Sequence, residues 1–187
     1  MASVLIPLAE GFEEIEAVSL IDIMRRGGID VTSVYLDNEF ENNLVCGANG
    51  ITIEADNSIK NIVSDEFDMI VLPGGWGGTY LLAEDRRVQE LLREFKDSGR
   101  LVGAMCAAPY ALHVAGVLNH HYTCYPSVEE KIRLDGYSDK ESVVKDAQVI
   151  TSRGPGTAIC FGLAIIKELV GDESYNAVRS GTLSEFC

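Results

Sequence analysis

The sequence predicts a doubly wound α/β domain: a mostly parallel sheet with helices on both faces and a small β-hairpin excursion. Three observations carry that prediction. Short apolar runs recur along the chain, each closed by glycine, proline or asparagine. Amphipathic stretches of helical period separate most of them, so consecutive runs read as βαβ units whose strands are buried on both faces. No internal repeat, low-complexity stretch or linker divides the 187 residues, which suits one domain spanning 1–187.

The elements follow in order. Ser3 to Leu8 is an apolar strand broken at Gly11, and Glu13 to Arg26 has helical periodicity ending at Gly27-Gly28, a helix stop. Val31 to Leu36 is a second strand. Leu44 to Ala55 holds two short extended pieces about the turn Gly47-Ala48-Asn49-Gly50, a hairpin. Asp68 to Leu72 is a strand bounded by Pro73-Gly74-Gly75. Asp85 to Lys96 is an amphipathic helix, Leu101 to Met105 a strand, and Pro109 opens a further helix. Beyond these come a strand near Tyr122 to Cys124, an irregular segment over Ser127 to Gly136, and strands at Ser142 to Lys145 and Gln148 to Thr151. Helices over Gly156 to Val170 and Asp172 to Ser180 close the chain.

Composition narrows the partners. Hydrophobic residues make up 47% and charged residues 24%, as in a globular protein. The formal net charge of −14 repels nucleic acid and anionic membrane and leaves a small or weakly charged ligand open. No apolar run is long enough for a membrane helix. The amino-terminal MASVLIPLAEGFEE has no basic region of the secretory type, so a cytoplasmic address is expected. The five cysteines (Cys46, Cys106, Cys124, Cys160 and Cys187) are widely spaced and include no C-x-x-C pair. That pattern predicts neither a disulfide framework nor a metal site, and the thiols other than a reactive one are expected to pack or lie on the surface. His113, His120 and His121 add no metal-ligand pattern, and nothing points to a cofactor.

In open α/β sheets ligands collect at the carboxyl ends of the strands. Cys106 sits there, in LVGAMCAAPYAL, on the turn between a strand and a helix. A thiol at the amide end of a helix is biased toward thiolate; the alternative is a small buried cysteine used as filler. PGGWGG, Pro73 to Gly78, follows another strand end on the same rim. Its glycines permit positive φ and its amides can face a developing negative charge, but it lacks the lysine of a phosphate-binding loop. Glu16 falls on the apolar side of its helix, Leu20 and Ile23 lying ~40° and ~20° away around the axis. A carboxyl group there has its pKa raised and can exchange protons with a substrate. Glu14, Asp22 and Arg25 fall on the opposite side, which is expected to be wet, and Glu13 complements the helix dipole. TSRGPGT, Thr151 to Thr157, leads from a strand into a helix and either lines a pocket or is a plain joint.

Taken in order, GFEEIEAV, DIMRRGGIDVT, DMIVLPGGWGGTYL, AMCAAPYAL, TCYP and ITSRGPGTAICFGLAII resemble the ThiJ/PfpI superfamily, in its deglycase branch of bacterial type, over nearly all 187 residues. The resemblance implies a flavodoxin-like single domain, related to class I glutamine amidotransferases, and a homodimer. It implies a nucleophile-elbow cysteine at Cys106 whose sulfur is hydrogen-bonded by Glu16, and an oxyanion site made by the amides of Gly75 and Ala107. Gly74, Tyr125, Asn49, Arg153 and Pro155 would line the pocket. The implied function is a cofactor-independent enzyme of glyoxalase III or deglycase type, acting on methylglyoxal, glyoxal or early glycation adducts.

Departures from the family pattern bear on the chemistry. Protease members carry histidine immediately after the nucleophile, where this chain has Ala107; without that base a Cys-His peptidase or amidotransferase mechanism is disfavoured. Tyr125 stands where relatives carry histidine, Asn49 where they carry arginine or histidine, and Cys160 where many carry an acid. The rival reading is a redox sensor, since the same thiol and acid serve oxidation to sulfinate. A role in thiazole phosphate metabolism finds no phosphate-binding motif in support.

Overall fold

The computed structural model describes residues 1–36, 42–132 and 135–187. In chain order its first half comprises β1 (Ser3–Leu8), α1 (Glu14–Arg26), β2 (Asp30–Tyr35), β3 (Leu44–Cys46), β4 (Thr52–Glu54), β5 (Asn57–Ser58) and β6 (Met69–Leu72). Then come α2 (Trp76–Glu84), α3 (Arg86–Asp97), β7 (Leu101–Met105), α4 (Pro109–Ala115), α5 (Glu129–Ile132), β8 (Val143–Asp146), β9 (Val149–Ser152), α6 (Ala158–Leu169) and α7 (Asp172–Gly181).

Seven strands form one sheet in the order β5-β2-β1-β6-β7-β9-β8. Neighbours run parallel except β8, which lies antiparallel to β9 at one edge. The predicted hairpin is a separate antiparallel ribbon, β3 against β4. Alternate residues of the central strands feed two cores. Val4, Ile6, Leu8, Met69, Val71 and Met105 point into the layer holding α1 and α6. Leu5, Ile70, Leu72, Val102 and Ala104 point into the layer with α3 and α4. Burial on both faces explains why these strands read as unbroken apolar runs. The fold is the flavodoxin-like α/β sandwich expected from the sequence.

Two local expectations need correction, and two elements were not foreseen. The segment Tyr122 to Cys124 is no strand: Tyr122 makes one isolated bridge to Tyr137, and the Thr123 amide donates to the Thr151 hydroxyl (2.9 Å) instead of to a ladder carbonyl. The segment read as irregular, Ser127 to Gly136, contains α5; its residues 133–134 lie outside the described residues. Helix α2 was unexpected, because three glycines in and just before its first turn oppose helix formation. Packing reverses that preference. A methyl group at Gly78 would stand 3.0 Å from the Phe12 backbone, so the small residues let α2 dock closely. Strand β5 is two residues long and exists only by pairing with β2.

The layer behind the site is fixed by α1 and α6. A Cβ at Gly162 would lie 2.8 Å from Ile23, and one at Gly27 would lie 2.6 Å from Ile166. The two helices therefore meet glycine to isoleucine, which sets the position of α1 and of every side chain it carries toward the sheet.

Candidate active site

Strand β7 ends at Met105 and α4 begins at Pro109, leaving three residues to reverse the chain. Cys106 absorbs the turn at φ 60, a conformation unfavourable for a residue with a side chain. Two hydrogen bonds hold it there: the Cys106 amide donates to Ser152 O (3.0 Å), and Tyr125 N donates to Cys106 O (2.9 Å). The strained turn is thus pinned by β9 on one side and by the segment before α5 on the other. Cys106 as a whole keeps 8% of its surface exposed.

The glycine loop after β6 closes over this elbow. A Cβ at Gly74 would fall 2.7 Å from both Cys106 Cβ and Glu16 Oε2 and 3.0 Å from the Ala107 amide nitrogen. Only glycine lets these three groups converge. Gly75 adopts φ 87, and a Cβ there would meet Gly11 O at 2.5 Å. The backbone amides of Gly75 and Ala107 stand close enough to the Cys106 sulfur to favour its charged form.

Glu16 reaches the same point from α1, and it is fully buried. Glu13 caps the helix, its carboxylate accepting from Glu16 N (2.9 Å), so the residue is fixed in the first turn. Glu16 Oε2 accepts from Gly74 N at 2.7 Å. The Cys106 thiol lies within interaction range of the carboxyl group. Oε1 nonetheless has no well-formed hydrogen bond among the described residues, which leaves a lone pair for a reacting group.

Burial pushes the Glu16 pKa up to about 7; hydrogen bonds from Cys106 and Gly74 oppose the rise and the Glu13 charge adds to it. Cys106 departs from the sequence expectation. Burial drives its thiol up, the Glu16 charge and hydrogen bond drive it further, and the amides of Gly75 and Ala107 only partly offset them. The expected bias toward thiolate fails: burial, the largest cause, acts on the thiol whatever the state of Glu16, and the Glu16 charge adds to it. Two acids in one desolvated space cannot both carry charge near neutrality, so they hold a single negative charge between them.

Residues 2–168 match the DJ-1/PfpI family. Protein dj-1beta of Drosophila melanogaster is 41% identical over 184 residues, covering 97% of this chain and 96% of that protein. The chain belongs to the DJ-1/PfpI family. The crystal structure of Drosophila melanogaster DJ-1beta superposes with a TM-score of 0.92, covering 97% of each chain. A Caenorhabditis elegans relative, glutathione-independent glyoxalase DJR-1.2, is 38% identical, covering 95% of this chain and 92% of its own.

Around the elbow of this DJ-1/PfpI member the other expected pocket residues divide. Tyr125 is tied to Cys106 through its amide and is 48% exposed; its ring lies against Gly154, where a Cβ would be 3.1 Å from Cδ2. The turn of Gly154 and Pro155 therefore lies beside Tyr125, whose amide is bonded to Cys106 O. Arg153 turns toward the 137–139 segment, donating to Asp139 O at 2.6 Å. Asn49 belongs to a different contact: its amide donates to Glu14 Oε1 (2.6 Å) and its side chain to Oε2 (2.9 Å). That contact corrects the reading of Glu14 as a solvated residue, for it is 4% exposed beneath the hairpin tip. Burial alone would raise its pKa, but donors from Asn49 and Ile51 outweigh that and hold the carboxyl below its usual range.

Sequence reasoning missed two further features. Ser152 supplies the carbonyl that pins the elbow, a backbone role with no side-chain signal. Trp76, next to Gly75, stacks on Tyr80 (5.2 Å) and meets Tyr110 edge-on (6.3 Å), tying α2 to α4 beside the site. The cysteine expectation is also corrected: Cys160 and Cys187 form a disulfide, leaving Cys46, Cys106 and Cys124 as free thiols. Their separation of 27 residues hid the pair from any spacing rule.

Proposed function

We propose that this protein is a cofactor-independent enzyme that converts α-oxoaldehydes such as methylglyoxal or glyoxal to hydroxyacids, and acts on early adducts of the same carbonyls. The single observation that carries the reading is the convergence, at Gly74, of a nucleophile, a buried acid of pKa about 7 and two amide donors. A family relative named as a glutathione-independent glyoxalase supports it.

The chemistry uses those groups alone. The Cys106 sulfur attacks the aldehyde carbon as a thiolate, the proton of the pair residing on Glu16, and the new oxyanion sits between the amides of Gly75 and Ala107. Glu16 first gives its proton to that oxyanion; as a carboxylate it then takes the proton from the former aldehyde carbon, its unpaired Oε1 being the acceptor, and delivers it to the adjacent carbonyl carbon as the hydroxyl proton passes between the two oxygens. Water then releases the hydroxyacid and restores the thiol. Ala107 in place of histidine leaves no adjacent imidazole base, which argues against peptide cleavage.

The test compares methylglyoxal consumption by wild type, Cys106→Ser and Glu16→Gln. Both variants should lose at least ~100-fold in kcat/KM. Undiminished turnover by the serine variant rejects the reading, and clean Cys106 sulfinate formation without any turnover in wild type would favour the redox-sensor function. We further infer a homodimer, because Ile15 (57% exposed) and Val18 (49%) on α1 and Ile51 (58%) beside β4 form an apolar outer face. Light scattering giving a monomer mass at micromolar concentration would overturn that assembly.

A further inference from the structure

Cys160 lies in the first turn of α6, and Cys187 lies on the tail that follows α7. Their Cα atoms stand 5.1 Å apart across the disulfide. All other described polar contacts of residues 182–187 are local. Thr182 N donates to Val178 O, Leu183 N to Ser180 O, Ser184 N to Arg179 O and Cys187 N to Ser184 O. Arg179 reaches back to Glu185 O, and the Thr182 and Ser184 hydroxyls pair with each other. The tail thus bonds to itself and to the end of α7, while the disulfide joins it to α6.

What the tail is held against matters as well. Leu183 (φ 55) is 76% exposed and Phe186 is 69% exposed, so apolar burial supplies little of the tail's order. Between the tail, α6, α7 and β8 lies a cavity of about 370 Å³, lined by Val143, Ala164, Lys167, Tyr175 and Phe186 together with the two sulfurs. Both cysteines are half-buried at its wall, whereas Cys106 is 8% exposed and Cys124 fully buried. An external thiol or disulfide therefore has an approach to this pair that the buried cysteines deny it.

We infer that Cys160 and Cys187 form a second redox site, chemically separate from Cys106, which closes and opens by exchange with low-molecular-weight disulfides and thiols. In closing, one protein thiolate attacks a sulfur of the external disulfide, giving a mixed disulfide and one released thiolate. The second protein thiolate attacks the protein sulfur of that mixed disulfide and expels the other. The protein pair loses two electrons, the external disulfide gains them as two thiols, and the two protein protons end on those thiols. Opening is the reverse, driven by a dithiol. In the closed state the tail is clasped over the cavity; in the open state residues 182–187 leave α6 and the cavity opens to solvent.

The experiment uses the full chain, with oxidised glutathione and dithiothreitol as the two probes. Peptide mass spectrometry follows the Cys160–Cys187 link, and amide hydrogen exchange follows residues 182–187. Dithiothreitol should break the link and speed exchange in the tail at least tenfold, and oxidised glutathione should restore both. Cys187→Ser and Cys160→Ala should each hold the tail in the fast state under both treatments. Cys106→Ser should close and open like wild type. Failure of oxidised glutathione to link the pair, tail exchange unmoved by reduction, or loss of the response in Cys106→Ser would each overturn the inference.

Discussion

The floor of the site and its rim are built by opposite rules. On the floor, Cys106, Glu16, Gly74, Gly75 and Ala107 are held by backbone: a strained φ, two pinning hydrogen bonds and a glycine that leaves no free volume. On the rim, Tyr125 is half-exposed, Arg153 leans on a neighbouring carbonyl, and Asn49 is committed to Glu14. In the proposed reaction the floor carries the chemistry, while the rim, anchored piecemeal, bears on which substrates enter. That difference means Tyr125 and Asn49 can vary without disturbing the convergence below.

The sharpest way to break this contrast is Gly74→Ala. One methyl group must displace Cys106, Glu16 or the Ala107 amide, and a shift of about 1 Å costs on the order of 100-fold in rate. Steady-state kinetics showing less than a fivefold loss would mean that the floor is not rigid.

Glu16→Gln follows, and its two effects have opposite signs. Turnover should fall, while stability at pH 8 should rise. The folded pKa of about 7 lies above the ordinary carboxyl value of 4.5, so stability is fully present below pH 4.5 and lost as pH rises through about 7. The loss is roughly 3 kcal/mol. Thermal melts should show the variant gaining roughly 6–12 °C at pH 8 and little at pH 5. In wild type, kcat/KM should climb as pH passes about 7, where the pair sheds its first proton, and in the variant that limb should move to higher pH. Equal melting shifts at both pH values would show that the carboxyl group is not held neutral by burial.

Glu14→Gln probes the brace between hairpin and helix. It should cost roughly 1–3 kcal/mol at pH 7, because buried donors lose a charged acceptor, while leaving kcat within about twofold. The Glu14 pKa is lowered in the fold, so its contribution is present above pH 4.5 and fades as pH falls through the folded value. A melting difference that persists unchanged down to pH 3 would contradict that assignment. Smallest of all should be Tyr125→Phe: the ring packs on Gly154 through carbon, so kcat should stay within about threefold while KM shifts with substrate size. A hundredfold drop in kcat would instead place the phenol among the reacting groups.

Most of the sheet could be read from the chain because burial on two faces writes an apolar run that no turn residue interrupts: β1 and β7 fall where the sequence puts them. Cys106 and Glu16 were legible for related reasons, one by its place between strand and helix, the other by an acid on an apolar stripe. What escaped notice depends on partners distant in sequence. Helix α2 needs Phe12 beneath its glycines, β5 needs β2, and Glu14 is dry only because a hairpin folds over it. A helical wheel sees one helix, and it cannot know that the far side is roofed. The thiol's protonation escaped for the same reason: the helix end was visible, but the desolvation and the neighbouring charge that outweigh it were not.

The elbow at Cys106 has one more implication. Its twist is imposed by Ser152 and Tyr125 through main-chain atoms, and nothing in that grip depends on sulfur. Replacing sulfur by oxygen or hydrogen should therefore yield an inert cast of the working cavity, suited to capturing an intact guest in a crystal and reading its orientation directly.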